Sequence, residues 1–363
     1  NLRHMYLKNL QVRQFKSYAE AQFEFIPNIN CIVGENGKGK TNLLDAVYFL
    51  SMTKSVRNMS DQLCVLHGKD FFNIQGKYVV EEMETQITCT FQKGQKKQVL
   101  REQKAYPRLA DHIGNYPVVM MDPYDTDLIR EGSEERRRFF DAMMSQKDRG
   151  FLDKLLKYNR VLQQRNTLLK AFAERNQVDT LHLETYDKIL VELGEELSAF
   201  RKQFLKEYIP AFQKHYENLS EGRELVNIQL ESNFETGKLA EGLKANLSID
   251  LASQRTGVGI HKDDFVFEID GYPLKKFGSQ GQQKSFVVAL KLAQFDLLWS
   301  DTHKKPILLL DDIFDKLDDR RIQRLIQMMA EDHFGQVFIT DARPERTKKL
   351  LKDMKGEIKY FEL

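Results

Sequence analysis

"GENGKGKT", Gly34 to Thr41, decides how the rest of the chain is read. It fits the pattern G-x-x-x-x-G-K-[ST] and has the surroundings which that pattern needs. The short apolar run "INCIVG" leads into it as a buried strand would. "TNLLDAVYFL" follows, with Leu44, Val47, Tyr48 and Leu50 at helical spacing. Glycines let such a loop turn so that successive N–H groups point inward and cradle phosphate oxygens. The positive end of the next helix adds to the attraction. In this reading Gly34, Glu35, Asn36, Gly37, Lys38 and Gly39 form the cradle. Lys40 reaches the β- and γ-phosphates, and Thr41 offers its hydroxyl to Mg²⁺.

A phosphate loop of this kind needs a metal partner elsewhere. "ILLLDDIFDKLD", Ile307 to Asp318, supplies one: four apolar residues ending in two aspartates. Asp311 is the expected Mg²⁺ ligand beside Thr41. Asp312, one residue on, is placed to act as general base toward an attacking water. Two aspartates at a strand end also make an ordinary turn, so the pairing with the loop carries the assignment. Asp318 reads equally as a surface turn residue or a contact across a dimer.

"GSQGQQKS", Gly278 to Ser285, stands at the mouth of a further helix with Phe286, Leu290, Ala293 and Leu297 on its apolar face. Ser279 fits an N-cap, and Gln282 three residues later completes an S-x-x-Q capping box. Gly281 in the first turn allows close approach of another backbone or a phosphate. By residue chemistry alone, a self-capping helix and a second anion site are equally good readings.

Between these motifs the texture changes twice. From Tyr6 to about Pro117 short alternating apolar runs predict strands, with a turn at Lys93–Gly94. From Phe151 to about Tyr216 the chain is charged and helical. Phe151, Leu155, Tyr158 and Leu162 form one stripe, and Ile189, Leu193, Leu197, Phe200, Phe204 and Tyr208 another, as in an antiparallel helical hairpin. Strand signals return near Val226, and "DFVFEID", "PILLLDD" and "QVFIT" read as strands. The expected division is an α/β piece over 1–120, a mainly helical arm over 121–257, and a second α/β piece over 258–363. The 363 residues carry a net charge of only +2, so a nucleic-acid partner has to be read from local clusters. Three scattered cysteines without a CxxC favour a reducing cytoplasm over a disulfide framework or a zinc site. No apolar run approaches the length of a membrane span.

An N-terminal phosphate loop, a helical insertion, then "SQGQQ" some way before "LLLDD" resembles the ABC-type ATPase heads of SMC-like repair proteins, and among them the bacterial RecF family. "QFKSY", "GSEERRRFFD" (Gly132–Asp141), "YNRVLQQRNTLLK" (Tyr158–Lys170) and "GIHKDDF" (Gly259–Phe265) carry the closer match over nearly the whole length. Ile260 stands where proline is usual and Lys262 where arginine is usual. The resemblance implies an α/β ABC-type P-loop head with an inserted helical arm, and ATP with Mg²⁺ as cofactors. It implies an ATP-dependent homodimer in which Ser279, Gln280, Gly281 and Gln282 of one copy face the γ-phosphate held by the other. Lys16 and Ser17 match a motif near the nucleotide, and Arg57 a family arginine that touches nucleotide or the partner head. The usual Q-loop glutamine is not evident; Asp125 is the nearest candidate, and Thr340 takes the switch position where transporters carry histidine.

The same resemblance implies a slow, DNA-stimulated ATPase of recombinational repair that binds double-stranded DNA, with a RecR-type mediator as partner and no membrane. Basic residues gather at Lys93–Lys104, at Arg136–Arg138 and near Lys348; Lys93, Lys96 and Lys97 are the first choices for DNA phosphates. The chief rival is an ABC transporter ATPase subunit, which should carry an LSGGQ-type motif. A nuclease with an ATPase head would need an added domain after the last strand, and a nucleotide-binding module without turnover would use Asp312 structurally.

Overall fold

The computed structural model describes residues 4–57, 59–175, 177–220, 224–315, 317–352, 354 and 356–363. The chain divides into two compact units, each assembled from separate stretches. Unit 1 is Asn1–Thr126, His215–Glu221 and Lys284–Leu363, and unit 2 is Asp127–Lys214 and Gly222–Gln283.

Two sheets, among the described residues, belong to unit 1. Strands β1 (Met5–Phe15), β2 (Tyr18–Glu24), β4 (Phe71–Val80), β5 (Met83–Gln92), β6 (Gln98–Arg101) and β7 (Lys104–Ala105) form an antiparallel sheet in the order β2-β1-β4-β5-β6-β7. The other is wholly parallel: β3 (Ile29–Val33), β8 (Val118–Met121), β12 (Ile307–Leu310), β13 (Val337–Asp341) and β14 (Ile358–Glu362), in the order β14-β3-β13-β12-β8. Every residue of β3, β8, β12 and β13 is buried, as expected of parallel strands covered on both faces. Helix α1 (Lys40–Met52) packs an almost entirely buried surface against the sheets. Helix α9 (Gln280–Thr302) buries Phe286, Leu290, Ala293 and Leu297, the four residues its spacing singles out. Helices α10 (Asp319–Ala330) and α11 (Pro344–Leu350) complete the unit.

Unit 2 holds α2 (Asp127–Arg130), α3 (Ser133–Lys147), α4 (Arg149–Arg175), most of α5 (Thr180–Ser220), α6 (Leu239–Ala245), α7 (Leu247–Ser253) and α8 (Leu274–Phe277). Its sheet is β11-β10-β9, from β9 (Val226–Glu231), β10 (Asp264–Ile269) and β11 (Tyr272–Pro273). The expected return to the α/β head at residue 258 is corrected here. Residues 258–283 group with the helical unit because β10 pairs with β9 along its whole length, from Asp264↔Glu231 to Ile269↔Val226.

The predicted stripes of α4 and α5 are present in part: Leu155, Leu162, Ile189 and Phe200 are only half-buried, and Val161 and Leu190, one residue away from two of them, take the buried positions. Phe151, Tyr158, Leu193, Leu197, Phe204 and Tyr208 are buried, and so are two arginines. Arg165 donates to Asp187 (2.5 Å), Asp250 (2.6 Å) and Thr256 (2.9 Å). Arg201 pairs with Asp141 (2.9 Å) and Asp263 (2.7 Å) and donates to the Ile260 carbonyl (2.8 Å). Buried guanidinium groups are tolerated only when paired in this way.

Candidate nucleotide site

Because β3, β13, β12 and β8 are parallel, their carboxyl ends share one edge of the sheet, the place where open α/β sheets bind ligands. Gly34 follows β3, Asp341 ends β13, Asp311 follows β12, and Asp122 follows β8. Four chemistry-bearing positions thus meet through strand direction alone.

The loop after β3 has the backbone its glycines predict. Gly37 and Gly39 have φ of 85° and 96°, in the left-handed region. A Cβ on Gly39 would also lie 2.9 Å from Ser17 Oγ and 3.1 Å from the Tyr18 hydroxyl. Glu35, Asn36, Gly37 and Lys38 are exposed, while Lys40 is buried. The Lys40 ammonium donates to the carbonyls of Gly34 (2.8 Å) and Glu35 (3.0 Å), so it lies across the loop it is expected to serve. Tyr18 donates its hydroxyl to the Gly39 carbonyl (3.0 Å) and Asn42 donates to Ser17 Oγ (2.8 Å). Burial pushes the Tyr18 phenol up to about 12, which keeps it a neutral donor.

At the acidic strand end Asp311 Oδ1 accepts from Thr41 Oγ1 (3.1 Å) and Thr340 Oγ1 (2.7 Å). Thr340 in turn accepts from the Asp312 N–H (2.9 Å). Burial pushes the Asp311 carboxyl up, and the two threonine hydroxyls pull it back. A buried carboxylate with the Thr41 hydroxyl beside it is a hard-oxygen donor set of the type Mg²⁺ takes together with phosphates. Thr41 and Asp311 therefore fit the metal they are expected to hold. Asp312 has φ 44°, a left-handed aspartate at the turn out of β12.

Other expected nucleotide contacts are engaged differently. The Lys16 ammonium is paired with Asp45 (2.5 Å), which is fully buried. Asp45 also accepts from Ser55 Oγ (2.8 Å) and the Val56 N–H (2.7 Å), and so pins the segment before Arg57 to α1. Arg57 is exposed, pairs with Asp122 at 3.4 Å, and lies over the Tyr124 ring at 3.8 Å. Asp125 is bound to Lys291 (2.7 Å); burial pushes its carboxyl up to about 6 despite that cation.

In unit 2 the start of α9 is the capping box its sequence predicts. The Ser279 N–H donates to Gln282 Oε1 (2.7 Å), and the Gln282 N–H to Ser279 Oγ (3.2 Å). Ser279 and Gln280 are exposed, and Gln282 Nε2 reaches Glu224 (2.9 Å).

A family model described as "RecF/RecN/SMC N terminal domain" matches residues 6–359. The DNA replication and repair protein RecF of Flavobacterium johnsoniae is 45% identical over 359 residues, 99% of this chain and all of that protein. The RecF of Cytophaga hutchinsonii is 43% identical over 98% of this chain and 94% of its own length. Among solved structures, the recombination mediator protein RecF with ATP, from the RecFOR pathway, superposes with a TM-score of 0.85 at 28% identity, covering 99% of this chain and 98% of that one. An Smc head from Pyrococcus furiosus shares the fold alone, with a TM-score of 0.54 at 16% identity over 98% and 92% of the two chains.

The chain belongs to the RecF family. Its SMC-like ATPase head fold with a helical insertion is the one expected, and a transporter subunit is disfavoured. No helix among the described residues is long and apolar enough to cross a membrane.

In this RecF-family chain the motifs between the nucleotide signatures hold unit 2 together. Arg136 makes a two-pronged pair with Asp264 (2.7 and 2.9 Å), Arg137 donates to the Asp263 carbonyl (2.6 Å), and the Tyr158 hydroxyl meets His261 Nδ1 (2.9 Å). Arg136 and Arg137 are thereby turned inward and do not form the basic surface that their sequence implies. Lys97 is likewise occupied, by Asp61 (2.7 Å) and the Thr53 carbonyl. Lys93, bound to the Lys69 carbonyl (2.6 Å), and Lys96 are exposed. Sequence reasoning missed Tyr18 and Asp45. Tyr18 is the last residue of the motif "QFKSY", and Asp45 is a carboxylate among the apolar residues of α1, a signal of a buried partner.

Proposed function

We propose that this RecF-family chain is an ATP-dependent DNA-binding protein of recombinational repair. ATP joins two copies on double-stranded DNA near gaps or junctions, and slow, DNA-stimulated hydrolysis releases them. The state so formed supports recombinase loading and replication restart, with a RecR-type mediator as partner, in the cytoplasm. The observation that carries the reading is the meeting of Thr41, Asp311 and Thr340 with the phosphate loop and its buried Lys40.

Each residue has a distinct task in this scheme. The loop amides of Gly34–Gly39 bind phosphate oxygens, and Lys40 exchanges two backbone carbonyls for them. Thr41 and Asp311 would hold Mg²⁺, which shields phosphate charge when bound. Thr340 fixes Asp311, and Asp312 accepts the proton of the attacking water. The partner copy's signature helix, with Ser279, Gln280, Gly281 and Gln282 at its start, faces the γ-phosphate. Exposure of Ser279 and Gln280 beside a capped helix start supports that role. A two-fold pair makes the contact reciprocal. Exposed Lys93 and Lys96 favour phosphate contacts that weaken with salt and ignore sequence.

Sedimentation with and without ATP and duplex DNA tests the scheme. Lys40→Met should abolish nucleotide binding and dimerisation. Ser279→Arg should leave the monomer binding ATP yet prevent both dimerisation and turnover. A Ser279→Arg protein that still dimerised with ATP would refute the assignment in trans.

A further inference from the structure

Arg57 and Tyr124 come from distant parts of the chain and meet at the ligand-binding edge of the parallel sheet. The guanidinium carbon lies 3.8 Å from the centre of the Tyr124 ring, which is face-on contact. Tyr124 is 58% exposed, so this large aromatic ring is not there to fill a core. Its place is held firmly all the same. Its N–H donates to Asp122 Oδ1 (2.7 Å), and the Asp122 N–H donates to Asp125 Oδ2 (2.8 Å). Asp125 is anchored by Lys291 of α9 (2.7 Å), whose ammonium also donates to the Met120 carbonyl within β8 (2.8 Å). The turn that presents the ring is therefore locked to a strand and to a helix.

The arginine's backbone is held as well. The residues before it are fastened to buried Asp45 through Ser55 Oγ and the Val56 N–H. Only the last link is loose. Arg57 meets Asp122 at 3.4 Å, longer than the roughly 2.7–2.9 Å of a good charged N–H···O bond. Asp122 Oδ1 is moreover shared between Arg57 and the Tyr124 N–H. A guanidinium can slide over an aromatic face and keep that contact while it exchanges one anion for another. The sheet sets what lies beside this pair: the Asp311 N–H donates to the Met121 carbonyl (2.9 Å), so Asp122 follows the strand next to the one that delivers Asp311.

We infer that Tyr124, with Asp122, is a positioning residue that holds Arg57 ready to pass from a carboxylate to the polyphosphate of the bound nucleotide. The inference rests on the reading of this edge as the ATP site. Asp122 is the ground-state partner, the ring is the platform that survives the exchange, and the Asp125–Lys291 pair keeps the platform in place. The order of events is then fixed by charge: an incoming polyphosphate competes with one shared carboxylate oxygen, not with a tight two-pronged pair.

The test uses the full chain with Mg²⁺ and ATP, measuring nucleotide affinity, KM and kcat. Thermal unfolding confirms that each variant is folded. Tyr124→Ala should weaken kcat/KM or affinity roughly 2- to 5-fold, the range expected for loss of an exposed cation–π contact. Tyr124→Phe, which keeps the ring, should recover most of that loss. In an Arg57→Ala background Tyr124→Ala should add nothing. An equal additional loss in that background overturns the inference, as does a Tyr124→Phe protein no better than Tyr124→Ala. An Arg57→Ala protein with wild-type values also overturns it while leaving the ATP site standing. Lys40→Met separates the two levels: if it binds ATP as wild type does, the reading of the site itself has failed.

Discussion

Replacing Thr340 by valine tests the geometry of the acidic strand end without changing side-chain shape. Thr340 is fully buried in β13, and valine keeps its branching and volume. What disappears is one hydroxyl with two jobs: it donates to Asp311 Oδ1 at 2.7 Å and accepts from the Asp312 N–H at 2.9 Å. A hydrogen bond to a charged group contributes about 1.5–3 kcal/mol, and an abandoned buried N–H costs about 1–3 kcal/mol. These effects share one atom and do not simply add, so a net loss of about 2–4 kcal/mol is expected. That is a large fraction of the roughly 5–15 kcal/mol by which domains are stable. Trp299, the single tryptophan of the chain, lies in α9 within unit 1 and reports the relevant unfolding step by fluorescence. Urea titration should show the valine variant unfolding well before wild type, and Thr340→Ser, which keeps the hydroxyl, lying much nearer to it. With one hydroxyl gone the Asp311 carboxyl is pushed further up, so ATP turnover should also fall, more at mildly acidic pH than at pH 8. A valine variant within about 0.5 kcal/mol of wild type, the scale of a neutral substitution, would refute the reasoning.

Two further outcomes follow from buried charge. Arg201→Met leaves the buried Asp263 carboxylate without its cation and should cost about 3–5 kcal/mol, whereas adding Asp141→Asn and Asp263→Asn should recover much of it; thermal melting by circular dichroism decides. His112 is fully buried with Nε2 on the Leu50 carbonyl (2.6 Å), and burial lowers it from 6.5 to about 4. Its contribution is thus complete above about pH 6.5 and is lost as pH falls toward 4, up to roughly 3 kcal/mol, and in urea titrations His112→Leu should flatten that slope.

Much of this was legible because strand direction turns local patterns into a shared site. "INCIV", "ILLL" and "VFIT" are short apolar runs ending in functional residues, and parallel pairing does the rest. The capping box at Ser279 and Gln282 is a three-residue signal that needs no tertiary context. Legibility ended where a charged residue's partner lies far along the chain. Arg165 and Arg201 interrupt apolar stripes and look like surface residues until Asp250 and Asp263 are brought to them. Lys16, singled out by a motif, and Lys97, singled out by a basic run, are the same case: neither pattern says which carboxylate each ammonium meets. The expected boundary at 258 missed for a related reason, since β10 reads as a head strand until its pairing with β9 is known.

The phosphate loop hangs from β3, and β3 is flanked on one side by β13 and on the other by β14. Both neighbours are translated roughly 300 residues after it, so the contacts that hold the loop's strand are among the most distant the chain makes. A ribosome has released the helical unit long before these neighbours emerge, and that unit's local contacts let it form early. A polypeptide cut short anywhere between Thr41 and Val337 would then carry every residue of the nucleotide cradle and still be unable to build it.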